Sequence, residues 1–182
     1  MRVITGTARG RVLKTLPGEA TRPTTDKVKE AVFSAIQFDI EGRRVLDLFA
    51  GSGQMGIEAL SRGASHAVFV DASKDAAAVV KDNLQKTDLF AKATVICRRA
   101  EDFIKTTEQF DLVFLDPPYG LNLLPSVLRG LLPCLSSYAT VVCEHDIGQV
   151  LPSSVGTLTA GKTKKYGKIG VTIYRNQVTE LG

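Results

Sequence analysis

No run in the 182-residue chain approaches about 18 consecutive apolar residues, the length a membrane helix requires. Met1-Arg2-Val3-Ile4 does not open the apolar stretch of an export signal, so neither secretion nor a membrane span is expected. Cysteine is scarce. Cys97, Cys134 and Cys143 are odd in number and lack ligand spacing, which argues against a disulfide framework or zinc cluster. They are read as buried thiols in a reducing, cytoplasmic setting. Of the two histidines, His66 opens a strand and His145 sits in Cys143-Glu144-His145-Asp146; one histidine beside two acids is thin for a metal site, so no metal is assigned. There is no low-complexity tract, internal repeat or interdomain linker. A chain of this length buries about 70% of its unfolded surface as one domain and needs no disulfide or metal support.

Acidic residues are outnumbered by Lys and Arg at both ends. Residues 1–30 carry seven Lys/Arg against three acids, residues 31–156 carry eleven against fifteen, and residues 157–175 carry five and no acid. Basic ends flanking an acidic middle favour a polyanionic partner such as nucleic acid over a merely solvated surface.

Arg2-Val3-Ile4-Thr5 and Arg11-Val12-Leu13-Lys14 read as a short basic hairpin around Thr7-Ala8-Arg9-Gly10. Thr24, Thr25 or Asp26 can cap a helix whose apolar face is Val28, Val32, Ala35 and Ile36, ending near Phe38. From Arg44 onward strands and helices alternate, with strands expected at 45–46, 67–70, 93–97, 110–115 and 140–143 and helices between them. That alternation predicts a mainly parallel sheet with helices on both faces. Thr157 to Lys164 and Ile169 to Tyr174 read as a closing antiparallel hairpin, bringing the sheet to seven strands. The domain is thus a strand–helix core from 41 to 182, the part expected to carry the chemistry, with an N-terminal hairpin-and-helix extension over 1–40.

Two segments carry chemistry. Asp116-Pro117-Pro118-Tyr119 leaves the apolar strand Phe110 to Leu115 at the end where open α/β sheets bind ligands. The prolines keep this segment extended, so a carboxylate, peptide carbonyls outside any helix ladder and an aromatic ring are held together. Such a set suits a planar heterocycle with an exocyclic amine, whose hydrogens meet the oxygens while the ring stacks.

The second segment, Asp47-Leu48-Phe49-Ala50-Gly51-Ser52-Gly53-Gln54-Met55-Gly56, joins the first parallel strand to its helix. Its glycines satisfy G-x-G-x-x-G, and Asp71 lies 20 residues after Gly51, where an acid would meet a ribose hydroxyl. Alone, this fits an NAD-dependent oxidoreductase. Asp47 counts against a pyrophosphate, because it puts negative charge where the phosphates would lie. S-adenosylmethionine carries a sulfonium and an ammonium instead, and suits the two acids better; Asp47 could also be a loop acid bonded to backbone amides. Arg98 to Asp102 is expected over the adenine, with the Ala100 amide at the ring edge and a nearby acid at the ring's amine; a helix N-terminus, its dipole complemented by Glu101 and Asp102, is compatible with the same residues.

Together these residues resemble the bacterial 16S ribosomal RNA guanine-N2 methyltransferases, within the Rossmann-like methyltransferase superfamily. The likeness spans Arg2-Val3-Ile4-Thr5-Gly6, Gly10-Arg11, the run Arg22-Pro23-Thr24-Thr25-Asp26-Lys27, the glycine loop, Gly56 to Ala64, Asp116 to Tyr119 and Lys165-Tyr166-Gly167. The glycine loop and Asp-Pro-Pro-Tyr are shared with amino-methyltransferases generally. The Arg-Pro-Thr-Thr-Asp run with the N-terminal hairpin is the more specific part. The resemblance implies methyl transfer from S-adenosylmethionine to the N2 amine of one guanine in 16S ribosomal RNA, on naked RNA or a small-subunit assembly intermediate. It implies that Asp47, Phe49, Gly51 and Gly53 line the cofactor's methionine end, Asp71 its ribose, and Arg99 and Ala100 its adenine. Asp116, Pro117, Pro118 and Tyr119 would hold the base. Arg9, Arg11, Arg22, Lys27, Lys164 and Lys165 would contact RNA. Gln54-Met55, Asp71 in place of a commoner Glu, and Arg99 depart from the family pattern. An adenine-N6 or cytosine-N4 amino-methyltransferase is the nearest alternative, but no segment is large enough for a DNA target-recognition domain. A monomer is expected.

Overall fold

Apolar side chains alternate between the two faces of each central strand, and a separate core forms on either side of the sheet. The structure, a computed structural model, describes residues 1–18 and 26–177. Five parallel strands, β1 (Arg44–Leu48), β2 (His66–Asp71), β3 (Ala93–Cys97), β4 (Phe110–Leu115) and β5 (Leu135–Asp146), lie in the order β3-β2-β1-β4-β5. On β1, Val45 enters one core, with α1 (Asp26–Ala35), α2 (Gln54–Ser61) and α3 (Lys74–Lys86). Leu46 and Leu48 enter the other, with α4 (Ala100–Phe103) and α5 (Leu124–Leu131). This is the three-layer arrangement the strand–helix alternation predicts.

The distal part of the sheet is antiparallel and richer than expected. Among the described residues the sheet has nine strands, not seven. The region read as one strand over 157–164 divides into β7 (Leu158–Ala160) and β8 (Lys164–Tyr166), and β6 (Ser154–Val155) pairs with β7. Both β7 and β8 pair with β9 (Ile169–Asn176), which runs antiparallel to β5. The break comes at Gly161, whose N–H donates to Ile173 O at 2.9 Å. β5 is also longer than expected: it starts at Leu135, opposite Phe110 of β4, and its pairing with β9 carries it on to Asp146, past Cys143, the last residue paired with β4.

The N-terminal hairpin is short: around the Arg2 to Val12 bridge, Val3 N–H donates to Arg11 O, Gly10 N–H to Val3 O and Leu13 N–H to Met1 O, and no regular strand extends beyond it among the described residues. The cause is competition from side chains of α2. The Ile4 and Thr5 amides donate to the Glu58 carboxylate at 2.9 and 3.0 Å, and the Ala8 amide donates to Ser61 Oγ at 2.9 Å. Val3, Ala8 and Leu13 are buried in the same core as α1 to α3.

Cys134 and Cys143 are buried, but Cys97 is exposed, because it ends β3 at the edge of the sheet. His145 bonds Thr172 Oγ1 at 2.9 Å, and His66 bonds Thr94 Oγ1 at 2.9 Å. Among the described residues no helix is long and apolar enough to cross a membrane.

Candidate active site

β1 delivers its glycine loop through an abrupt reversal. Phe49 takes φ 65°, a left-handed conformation rare for a non-glycine residue, and Gly51 and Gly53 follow at φ 56° and 80°. The turn folds the chain over the sheet edge and starts α2 directly above it. Asp47, only 4% exposed, accepts the Gly56 N–H at 2.9 Å in the first turn of α2. A carboxylate therefore already occupies ground that a pyrophosphate would need at this helix N-terminus. That is the physical reason the G-x-G-x-x-G spacing does not make a dinucleotide site here.

Gly56 is required for a different reason: a Cβ there would lie 2.4 Å from the buried Phe69 ring and 3.2 Å from Asp47 Cβ. Gly56→Ala is expected to lower stability by about 1–3 kcal/mol through overpacking. Because the displaced groups hold the loop, it should also weaken cofactor binding. Urea unfolding and calorimetric titration measure the two losses.

Asp71 closes the loop from the neighbouring strand. Its carboxylate accepts from Gly51 N–H at 3.0 Å and from Ser73 N–H at 2.9 Å. A carboxylate offers about four lone-pair sites, so acceptor capacity remains toward a ligand hydroxyl. At the end of β3, Arg99 is the N-cap of α4 and its guanidinium lies 3.5 Å from Glu101, an exposed pair of small energetic weight.

These elements open onto one cavity of about 460 Å³ along the carboxyl edge of the sheet, lined by Asp47, Phe49, Gly51, Asp71, Arg99, Ala100, Asp116 and Pro118. Its size falls in the range of sites that bury a nucleoside-sized ligand. Gly53 sits behind the wall, against Val80 and Phe69. Pro117 and Tyr119 border a smaller adjoining cavity, which Pro118, Glu144 and His145 also line. Tyr119 is 40% exposed at the mouth. Leu16, Pro17 and Leu123 line the main cavity without having been singled out from sequence, and Met55, noted only as a departure from the family pattern, lines it too. Leu16 and Pro17 reach it only through long-range packing of the N-terminal segment, which no local pattern announces. Glu144 was read only as too thin a metal ligand; its signal was its position at the end of the strand beside β4.

The basic residues divide into two groups. Thr7 N–H donates to Ser61 O, and Arg11 Nη1 donates to Lys86 O at 3.0 Å while facing Asp88 at 3.5 Å. Ser61 and Lys86 are the last residues of α2 and α3, so Arg9 and Arg11 lie at the opposite end of the sheet from the cavity. The lengths of those helices put that separation at about 12–20 Å. Lys164 and Lys165 are on β8 beside the start of β9, at the cavity's own edge. Three strand spacings, about 14 Å, separate them from β4. Lys27 is in the first turn of α1. Arg22, and the candidate caps Thr24 and Thr25, lie outside the described residues. Among the described residues no group of three or more His, Cys, Asp or Glu side chains is placed to hold a metal ion.

The family described as Conserved hypothetical protein 95 matches residues 1–175. A candidate rRNA methyltransferase of Bacillus subtilis, YlbH, is 43% identical over 97% of this chain and 100% of its own length. Ribosomal RNA small subunit methyltransferase D of Haemophilus influenzae is 36% identical over 97% of this chain and 94% of its own. Among solved structures, a candidate methyltransferase of Escherichia coli, YhhF, superposes with a TM-score of 0.88 at 30% identity, covering 97% of this chain and 98% of that one.

Proposed function

Because this chain belongs to the Conserved hypothetical protein 95 family, a family of S-adenosylmethionine-dependent rRNA methyltransferases, we propose that it methylates the exocyclic N2 amine of a guanine in 16S ribosomal RNA. One observation carries the reading: the glycine loop and Asp116 and Pro118 of the tetrapeptide line the same cavity. The donor set fits the cofactor. Asp47 and Asp71 offer acids to an ammonium and to ribose hydroxyls, and the left-handed turn at Phe49 clears space above the sheet. When bound, S-adenosylmethionine supplies an electrophilic methyl group on a positively charged sulfur.

The protein's own residues do the rest. A guanine N2 lone pair is delocalised into the ring and is a poor nucleophile as it stands. Asp116 and a Pro117 or Pro118 carbonyl accept the two amine hydrogens, which turns the lone pair toward the methyl donor. Catalysis then comes from alignment and from stabilising the positive charge that grows on nitrogen, with no strong base needed. The base must leave its stack to reach the cavity. Tyr119, half exposed at the mouth, is a platform for it. Tyr119→Ala should raise KM for RNA by about 5- to 150-fold, the equivalent of one lost stacking contact, with little change in cofactor affinity. Steady-state kinetics with RNA as the varied substrate measure this. Lys164 and Lys165 at the cavity's edge supply phosphate contacts, so activity falls steeply with added salt.

Transfer of tritiated methyl to unmethylated small-subunit RNA, free or in assembly particles, followed by mapping of the modified nucleotide, tests the whole reading. Product other than N2-methylguanine refutes it.

A further inference from the structure

β4 and β5 are in parallel register, with Leu115 opposite Cys143. The next residue on each strand is a carboxylate, Asp116 and Glu144, about 5 Å apart at Cα by the spacing of adjacent strands. Alternation puts both on the face occupied by Phe114 and Val142. Glu144 is only 8% exposed. It shares one small cavity with Asp47, Met55 and Asp116 and another with Pro117, Pro118 and Tyr119, so it touches the lining around all four residues of the tetrapeptide. Its backbone completes the pairing of β5 with β9, opposite Val171, and the carboxylate plays no part in that ladder.

We infer that Glu144 determines base specificity by accepting the N1–H of the target guanine while Asp116 accepts from N2. This rests on the guanine-N2 reading above. The Watson–Crick edge of guanine presents two adjacent donors, N1–H and the N2 amine. Adenine and cytosine each present one amine beside a ring-nitrogen acceptor. A single carboxylate next to the reacting amine serves all three bases alike. A second carboxylate, placed for the ring nitrogen, holds guanine and sets its lone pairs against the acceptor of the other two. Sites built to bond a substrate N–H reject analogues that lack it, because the buried partner is left unpaired. Each carboxylate oxygen has two acceptor positions, so Glu144 can serve the base and a protein donor together.

The test uses 2-aminopurine, which keeps the N2 amine but has an acceptor in place of N1–H. Ribosomal RNA carrying guanine or 2-aminopurine at the mapped target position is methylated under single-turnover conditions by wild type and by Glu144→Gln. Wild type should prefer guanine by about 10- to 100-fold, the scale of one well-placed base contact. The Gln amide can donate to the 2-aminopurine ring nitrogen, so the variant should slow on guanine, gain on 2-aminopurine and lose most of the preference. Thermal unfolding and cofactor titration should match wild type. Equal preference in both proteins overturns the assignment, as does a variant that loses both substrates alike. If the variant does not fold, the wild-type ratio decides by itself: no preference for guanine overturns the role. If wild type methylates neither RNA, the guanine-N2 reading has failed and Glu144's role falls with it.

Discussion

Asp116→Ala lowers the single-turnover rate of methyl transfer by at least about 10²–10³-fold, the usual loss when one group aimed at developing charge is removed from an enclosed site. Affinity for S-adenosylmethionine should stay close to wild type. Asp116 lines the cavity at the end where β4 finishes, whereas the cofactor's own contacts are assigned to Asp47, the glycine loop and Asp71 on β1 and β2. The glycine loop is held by other acids: Gly56 N–H donates to Asp47, and Gly51 N–H to Asp71. Loss of Asp116 therefore leaves that half of the cavity standing. Rapid-quench methyl transfer and calorimetric titration give the two quantities separately. Methylation within tenfold of wild type, or a collapse of cofactor binding in parallel with rate, refutes the role given to Asp116.

Glu58→Ala has the largest expected effect on stability, a loss of about 3–5 kcal/mol, as for other buried ion pairs broken from one side. Glu58 and Lys29 are both at 0% side-chain exposure, 3.6 Å apart. Glu58 Oε1 also accepts from Arg62 Nε at 3.0 Å, and the carboxylate takes the Ile4 and Thr5 amides. Lys29 Nζ donates to Arg2 O, and the Arg62 guanidinium covers the Phe33 ring at 4.8 Å. Burial pushes the Lys29 ammonium below its usual pKa, and the neighbouring Glu58 pulls it back. Removing the carboxylate strands a buried cation and two amides at once. Replacing both partners with apolar residues, Lys29→Met with Glu58→Leu, should cost less than Glu58→Ala, because no unpaired charge remains. Urea denaturation of the three proteins measures the difference; a double variant that is no more stable than the single one refutes the account. The same variants should weaken cofactor binding, because the N-terminal segment that Glu58 anchors continues to Leu16 and Pro17 in the cavity wall.

What could be read from the sequence follows from what is local. The bounds of β3, β4 and α3 were legible because apolar periodicity and turn residues fix them within a dozen positions. The cavity-lining residues Asp47, Asp71, Ala100 and Asp116 were legible because each lies at or shortly after the end of a parallel strand, and the edge they share is a property of the topology. What escaped depends on partners far along the chain. The N-terminal hairpin stays short because the Ile4 and Ala8 amides go to Glu58 and Ser61, more than fifty residues away. β8 separated from β7 because two short strands share one edge of β9, which no run of side chains between 157 and 164 signals. Glu144 looked like an isolated acid until the register of β5 on β4 placed it next to Asp116.

The edge position of β3 has a practical corollary. Cys97 is exposed there while Cys134 and Cys143 are buried, and its thiol donates to Ala72 O at 3.6 Å, a residue of the cavity wall. A maleimide dye should therefore attach at one place without any engineered mutation, within sight of the adenine end, and its emission would report loading of the site in real time.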